Sequence, residues 1–127
     1  MASARFELYL PSRREPDPSQ LPGPVEVTWR LLSSNNRDLG RAAGTFADAA
    51  ACLVTVRRLQ RRVHEAVAIQ LRAGRVAWTW RVRLDGADIA VSSRTYQRRV
   101  QAESACAVFL GLVPLAAVTD APRLARC

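Results

Sequence analysis

Arg30, Arg81 and Arg83 are the residues of this 127-residue chain whose type and spacing point most directly to chemistry. Each stands in an alternating run, Trp29-Arg30-Leu31 or Trp80-Arg81-Val82-Arg83-Leu84. As strands, these runs put the guanidinium groups on the face opposite the tryptophans. Together with Thr28 and Thr79 they would form a basic stripe able to hold phosphates or another polyanion. Arg57 and Arg61, within the run that also holds Arg58 and Arg62, and the pair Arg98-Arg99 complete the candidate set. Residues 57 to 99 hold eleven Arg against Glu65, Asp85 and Asp88, a balance of +8, so the rest of the chain sums to zero. The partners this charge implies are nucleic acid or an acidic protein. A simpler explanation stands beside it: a sheet covered by helices on one side must present soluble residues on the other, and Arg with Thr does so without any ligand. All 19 basic residues are Arg, beside abundant Ala, a usage closer to codon bias than to selection for guanidinium chemistry.

Material for catalysis is sparse. His64 is the single histidine, next to Glu65, and reads as a surface residue rather than a general base. Asp85, before Gly86, is a turn residue, and Asp88 is placed to pair with Arg81 or Arg83 across a hairpin. Ser92 and Ser93 have no base nearby in sequence, and neither a glycine-rich phosphate loop nor metal-ligand spacing occurs. Cys52, Cys106 and Cys127 are too few and too widely spaced for a disulfide framework or a zinc site, and the first two read as small core residues. The expectation is a protein with no enzymatic activity and no cofactor.

The elements that would position these groups follow from periodicity. Val76, Trp78, Trp80, Val82 and Leu84 predict a strand, Asp85-Gly86 a tight turn, and Ile89 with Val91 a returning strand aimed at the same core. Phe6, Leu8 and Leu10 predict a first strand, from which Tyr9 points outward, and Val25, Val27, Trp29 and Leu31 a second. Between these two lies the proline-rich loop 11–24. A short strand from Arg37 to Ala43 follows Ser33-Ser34-Asn35-Asn36. Thr45 with Asp48 predicts a capping box opening a helix whose stripe is Ala49, Cys52, Leu53, Val56, Leu59 and Val63. Val67, Ile69 and Leu71 read as a core-facing strand turning at Ala73-Gly74. A second helix runs from about Arg98 to Val113 with Ala105, Val108, Phe109 and Leu112 inward, ending at Pro114. The tail, 114–127, is expected to be loosely docked.

The halves repeat. Trp29-Arg30-Leu31 matches Trp80-Arg81-Val82, Leu39 matches Ile89 and Phe46 matches Tyr96, at offsets of 51, 50 and 50 residues. The reading is one domain over 1–127 built from internal repeats at 5–63 and 67–113. The fold class is α+β: two tandem strand-strand-strand-helix units forming an antiparallel sheet with two helices packed on one face, about a pseudo-twofold. Residues 5–113 resemble the YegP-like family of small bacterial proteins. The match is carried by Trp80-Arg81-Val82, Ile89-Ala90-Val91-Ser92-Ser93, Tyr96 and the Ala-rich helix that follows. The first repeat keeps Phe6-Glu7-Leu8-Tyr9 and Trp29-Arg30-Leu31 but has Ala42-Ala43-Gly44 where the serine pair would fall. The resemblance implies this α+β fold and, for members with one unit, dimerisation. It implies no activity and brings no functional residues.

With no apolar run long enough to span a bilayer and Arg5 and Glu7 near the start, the sequence reads as a cytoplasmic protein with no membrane association. The expected role is non-enzymatic binding of nucleic acid or another polyanion through the basic sheet face. The alternative is a self-associating structural or stress-related module, a homo-oligomer formed through free strand edges.

Overall fold

The computed structural model describes residues 3–11 and 26–118, together with the backbone of 125–126. The proline-rich loop expected at 11–24 lies, apart from Pro11, outside the described residues. Six strands form an antiparallel sheet: β1 (Arg5–Leu10), β2 (Thr28–Leu32), β3 (Asp38–Ala42), β4 (Val67–Arg72), β5 (Trp78–Leu84) and β6 (Ala87–Val91). Helix α1 (Ala49–Arg62) follows β3 and helix α2 (Arg99–Leu112) follows β6. The strands lie in the order β4-β5-β6-β3-β2-β1, and a two-residue β7 (Ala125–Arg126) adds parallel to β1. The fold is α+β, with both helices on one face of the sheet.

The tryptophan face makes the core. Trp29, Trp80 and Phe109 are fully buried. Phe109 of α2 stacks against Trp29 with centroids 6.5 Å apart and meets Trp80 at 4.9 Å, while Phe6 meets the edge of Trp29 at 5.3 Å. One helix side chain therefore ties the tryptophans of both halves into a single hydrophobic cluster, which is what stabilises a sheet whose halves are each too small to bury their own apolar face. Cys52 and Cys106 lie in this cluster. Burial pushes their thiols up to about 12 and about 11, so both behave as inert small core residues.

The arrangement is consistent with a duplicated unit. The helices begin 50 residues apart, at Ala49 and Arg99, and end 50 apart, at Arg62 and Leu112. Single 3-10 turns follow each, Val63–Glu65 and Val113–Leu115. Val27 bridges Phe46 just as Trp78 bridges Tyr96. At the centre of the sheet β3 and β6 pair through Arg41 and Val91, themselves 50 apart, where a pseudo-twofold would pass.

Several sequence expectations are corrected. Val91 pairs with Arg81 on the open face, and Ala90, paired with Val82, takes the core position. The cause is a register shift between Val82 and Arg83, which inserts one residue and inverts the alternation beyond it, leaving Ile89 buried as well. Val67, Ile69 and Leu71 do not face the core either. They pair with Arg83, Arg81 and Thr79 and share the open face, while Ala68, Gln70 and Arg72 lie on the helix side with Val82, Trp80 and Trp78. Val76 precedes β5 and is exposed. In α2 the buried side chains are Ala102, Cys106 and Phe109, and Val108 is 53% exposed. An Ala-rich helix offers small apolar residues on every side, so its stripe is poorly marked by pattern alone.

The cap of α1 is Asp48 itself, whose carboxylate accepts from the Ala51 N–H at 2.8 Å; Thr45 is not the cap. The tail docks more closely than expected as far as Val118. Ala116 is buried, the Ala117 N–H donates to the Ala4 carbonyl at 2.9 Å, and the Ala117 carbonyl accepts from the Phe6 N–H at 3.0 Å. This segment and β7 cover the outer edge of β1, so β4 is the sheet edge with no strand neighbour among the described residues. No helix among the described residues is long and apolar enough to cross a membrane.

Candidate functional site

The expected basic stripe exists, but its charges are partly compensated. Arg30 and Glu7 pair across β2 and β1, and the Arg30 Nε and Nη2 donate to Glu7 Oε1 at 3.0 and 2.6 Å. Arg81 and Arg83 share Asp88 of β6, Arg81 Nη1 reaching Oδ2 at 2.6 Å and Arg83 Nε reaching Oδ1 at 2.9 Å. Tyr9 points to this face as expected, yet it is 7% exposed and has the Arg30 guanidinium 4.8 Å from its ring centroid, so it offers no free ring to a base. The serine pair is structural: Ser92 Oγ accepts from the Trp80 N–H at 3.3 Å, and Ser93 Oγ donates to Asp38.

On α1 the arginines divide. Arg58 and Arg62 reach over the β5–β6 turn to Asp85, which has φ +54, and Arg62 also holds Glu65 at 2.8 Å. Asp85 thus turns the hairpin and fastens it to the end of α1. The arginine hydrogen bonds hold Asp85, Asp88 and Glu65 below their ordinary carboxylate values. Folded-state values that are depressed contribute stability that is complete above the ordinary values near 3.8 and 4.5, and that is lost as pH falls through the folded values. The thermal midpoint is therefore expected to fall below about pH 4, modestly because the pairs are exposed, and Asp85→Asn is expected to flatten the fall. An equally steep acid limb in Asp85→Asn, followed by calorimetry against pH, would contradict this.

Arg61, Arg72, Arg75, Arg94, Arg98 and Arg99 form no ion pair with any described residue. Of these, Arg72, Arg75, Arg98 and Arg99 gather where β4 turns into β5 and α2 begins. Arg72 and Arg99 both lie over the ring of Trp78, their Cζ atoms 5.4 and 5.8 Å from its centroid, and Arg72 Nη2 donates to the Arg75 carbonyl. Trp78 is only half-buried, unlike Trp29 and Trp80. The candidate residues named from sequence thus separate into three places: Arg30, Arg81 and Arg83 on the open sheet face, Arg57 and Arg61 on α1, and Arg98 with Arg99 at the start of α2. Sequence reasoning missed Arg72 and Trp78. The signal was the hairpin itself: counting back around Gly74-Arg75-Val76 from an inward Trp78 places Arg72 beside it.

No family model matches this sequence, and no curated protein matches it. Solved structures do match. A UPF0339 protein from Shewanella oneidensis superposes with a TM-score of 0.66 at 8% identity, covering 98% of this chain and 92% of its own. The E. coli protein of unknown function yegP superposes with a TM-score of 0.61 at 11% identity, covering 99% and 94%. The fold is that of the YegP-like proteins. At these identities the likeness carries architecture and no residue roles.

Among the described residues a pair of clefts lies one on each side of the seam between the halves. The larger, about 390 Å³, lies between α1 and β6 and is lined by Phe46, Thr55, Arg58 and Ile89 among others. The smaller, about 180 Å³, lies between α2 and β3, lined by Leu39, Tyr96, Ala105 and Val108 with Arg37 and Arg94. Phe46, Thr55, Arg58 and Ile89 correspond, 50 residues away in sequence, to Tyr96, Ala105, Val108 and Leu39. The clefts therefore occupy corresponding places, each where the helix of one half passes the third strand of the other. Among the described residues no group of three or more His, Cys, Asp or Glu could hold a metal ion.

Proposed function

We propose that this protein is a non-enzymatic binding protein that engages nucleic acid through the arginines at the β4–β5 turn and the start of α2. The observation that carries this reading is the uneven pairing of charge. On the sheet face Arg30 pairs with Glu7, and Arg81 and Arg83 share Asp88, whereas Arg72, Arg75, Arg98 and Arg99 share one neighbourhood without an ion pair among the described residues. Uncompensated cations gathered in one place release counterions when they meet phosphates, which is the main source of affinity for nucleic acid. Ser93 with Asp38, and Asp88 with two arginines, are engaged in fold-forming contacts. The reading takes the protein as cytoplasmic, where nucleic acid is the abundant polyanion. A fluorescent oligonucleotide is expected to bind at low salt, with log affinity falling linearly against log salt. Absence of binding at low salt would remove the reading.

A second reading, self-association, is favoured by one observation: β4 is an edge strand whose open face carries Val67, 57% exposed, with Ile69 and Leu71. Unprotected edges of this kind pair with other strands. Light scattering is expected to show concentration-dependent dimerisation that Ile69→Lys abolishes, and a monomer at all concentrations would exclude it.

A further inference from the structure

The cluster at the end of the sheet holds more than charge. Trp78 opens β5 opposite Arg72, the last residue of β4. Two hydrogen bonds fix it to the segment that leads into α2, its N–H donating to the Tyr96 carbonyl at 2.6 Å and its carbonyl accepting from the Tyr96 N–H at 2.7 Å. The indole is therefore wedged between the end of β4 and the start of α2, and each element contributes one guanidinium over its ring, Arg72 from the strand and Arg99 from the helix. A guanidinium held over an aromatic ring loses rotamer freedom and keeps an in-plane N–H fork for an anion; in Arg72 one donor of that group, Nη2, is already given to the Arg75 carbonyl, which fixes it further. That fork matches two oxygens of a phosphate.

The surroundings favour an anion. The nearest acid along α2, Glu103, is exposed and forms no ion pair among the described residues. Arg98 occupies the N-cap, where α1, fifty residues earlier, has Asp48. An arginine side chain has no acceptor, so only Gln101 Oε1 contributes a cap contact, accepting from the Arg98 N–H at 3.1 Å. Two cations at this end oppose the helix dipole, and a bound phosphate would reverse that balance.

We propose that Arg72 and Arg99, held on the ring of Trp78, form a clamp for a backbone phosphate of nucleic acid. The proposal rests on the nucleic-acid reading above and names the site that carries it. The arginines touch the ligand, and Trp78 is a positioning residue that pre-orders them.

Binding of a fluorescein-labelled oligothymidylate, measured by anisotropy against salt, tests the clamp. Arg72→Gln and Arg99→Gln are each expected to weaken binding several-fold and to lower the salt slope by about 0.7. Trp78→Leu, which changes no charge, is expected to weaken binding to a similar extent with the slope unchanged, and Trp78→Phe to restore most of the affinity. Circular dichroism confirms the fold of each variant. Should Trp78→Leu fail to fold, the two arginine variants and Trp78→Phe decide. If wild-type protein binds and all four variants bind equally well, the clamp is wrong while the nucleic-acid reading stands. If wild-type protein does not bind, the underlying reading has failed. Displacement of the oligonucleotide by polyglutamate as readily as by unlabelled oligothymidylate would overturn the phosphate assignment in favour of an acidic protein.

Discussion

Trp80→Ala is expected to destabilise the protein by about 3 kcal/mol, the lower end of the range for emptying a large buried aromatic site. The ring is fully buried and lies 4.9 Å from Phe109, the side chain that joins the two halves. The lower end applies because the Trp80 Nε1 is buried without a hydrogen-bond partner among the described residues. Leaving a donor in that state costs roughly 1–3 kcal/mol, a cost that disappears with the indole. Trp80→Phe, which keeps a ring and drops the orphaned N–H, is accordingly expected to lose less than half as much. Chemical denaturation checks both. A change within error for Trp80→Ala would put the ring outside the core and reverse the assignment of the two sheet faces.

Gly40→Ala comes second, at about 1–3 kcal/mol from overpacking. Gly40 pairs with Leu31 on the core face of β3. A Cβ placed there would come within 2.6 Å of Trp80 Cη2 and within 2.7 and 2.8 Å of Phe109 Cδ2 and Cε2. Both rings are fully buried, so neither can swing aside cheaply. Fifty residues later the corresponding position is Ala90, and the helix residue corresponding to Phe109 is Leu59. The halves thus combine a large helix side chain with glycine in one case and a smaller one with alanine in the other. The double variant Gly40→Ala/Phe109→Leu is expected to be less destabilised than the sum of its parts, because the smaller side chain makes room for the new methyl group. Strict additivity in denaturation midpoints would contradict the correspondence.

These packing relations explain which parts of the architecture could be read from sequence. Trp29, Trp80 and the 50-residue spacing mark the strands, the helices and their order, because large apolar residues at period 2 or 3.6 have few ways to be buried. What failed was parity. The register shift after Val82 moved Val91 to the open face, and no side-chain pattern announces a bulge. On β4, Val67, Ile69 and Leu71 have the look of a core strand but occupy the open face of an edge, because the hairpin to Trp78 sets their register and outweighs their own hydrophobicity.

The charge surplus behind the proposed site was legible in the sequence, whereas which cations are paired was not. The charge surplus of residues 57 to 99 was visible, but a count of cations cannot say which of them meet a carboxylate. Arg81 and Arg83, foremost among the sequence candidates, converge on the single carboxylate of Asp88. Arg98 and Arg99, also named from the sequence, form no ion pair among the described residues because α2 starts with them and the neighbouring β4–β5 hairpin contributes Arg72 and Trp78 rather than an acid.

Which of these surfaces meets a polyanion is decided most directly by comparing two double variants in oligonucleotide binding across a salt series. Arg98→Gln/Arg99→Gln is expected to weaken binding about tenfold or more and to lower the salt slope by about 1.4, the value for two lost single-strand phosphate contacts. Arg81→Gln/Arg83→Gln, which removes cations already paired with Asp88, is expected to leave both affinity and slope nearly unchanged. The opposite pattern, loss of binding in Arg81→Gln/Arg83→Gln with Arg98→Gln/Arg99→Gln unaffected, would contradict the account and return the site to the open face of the sheet.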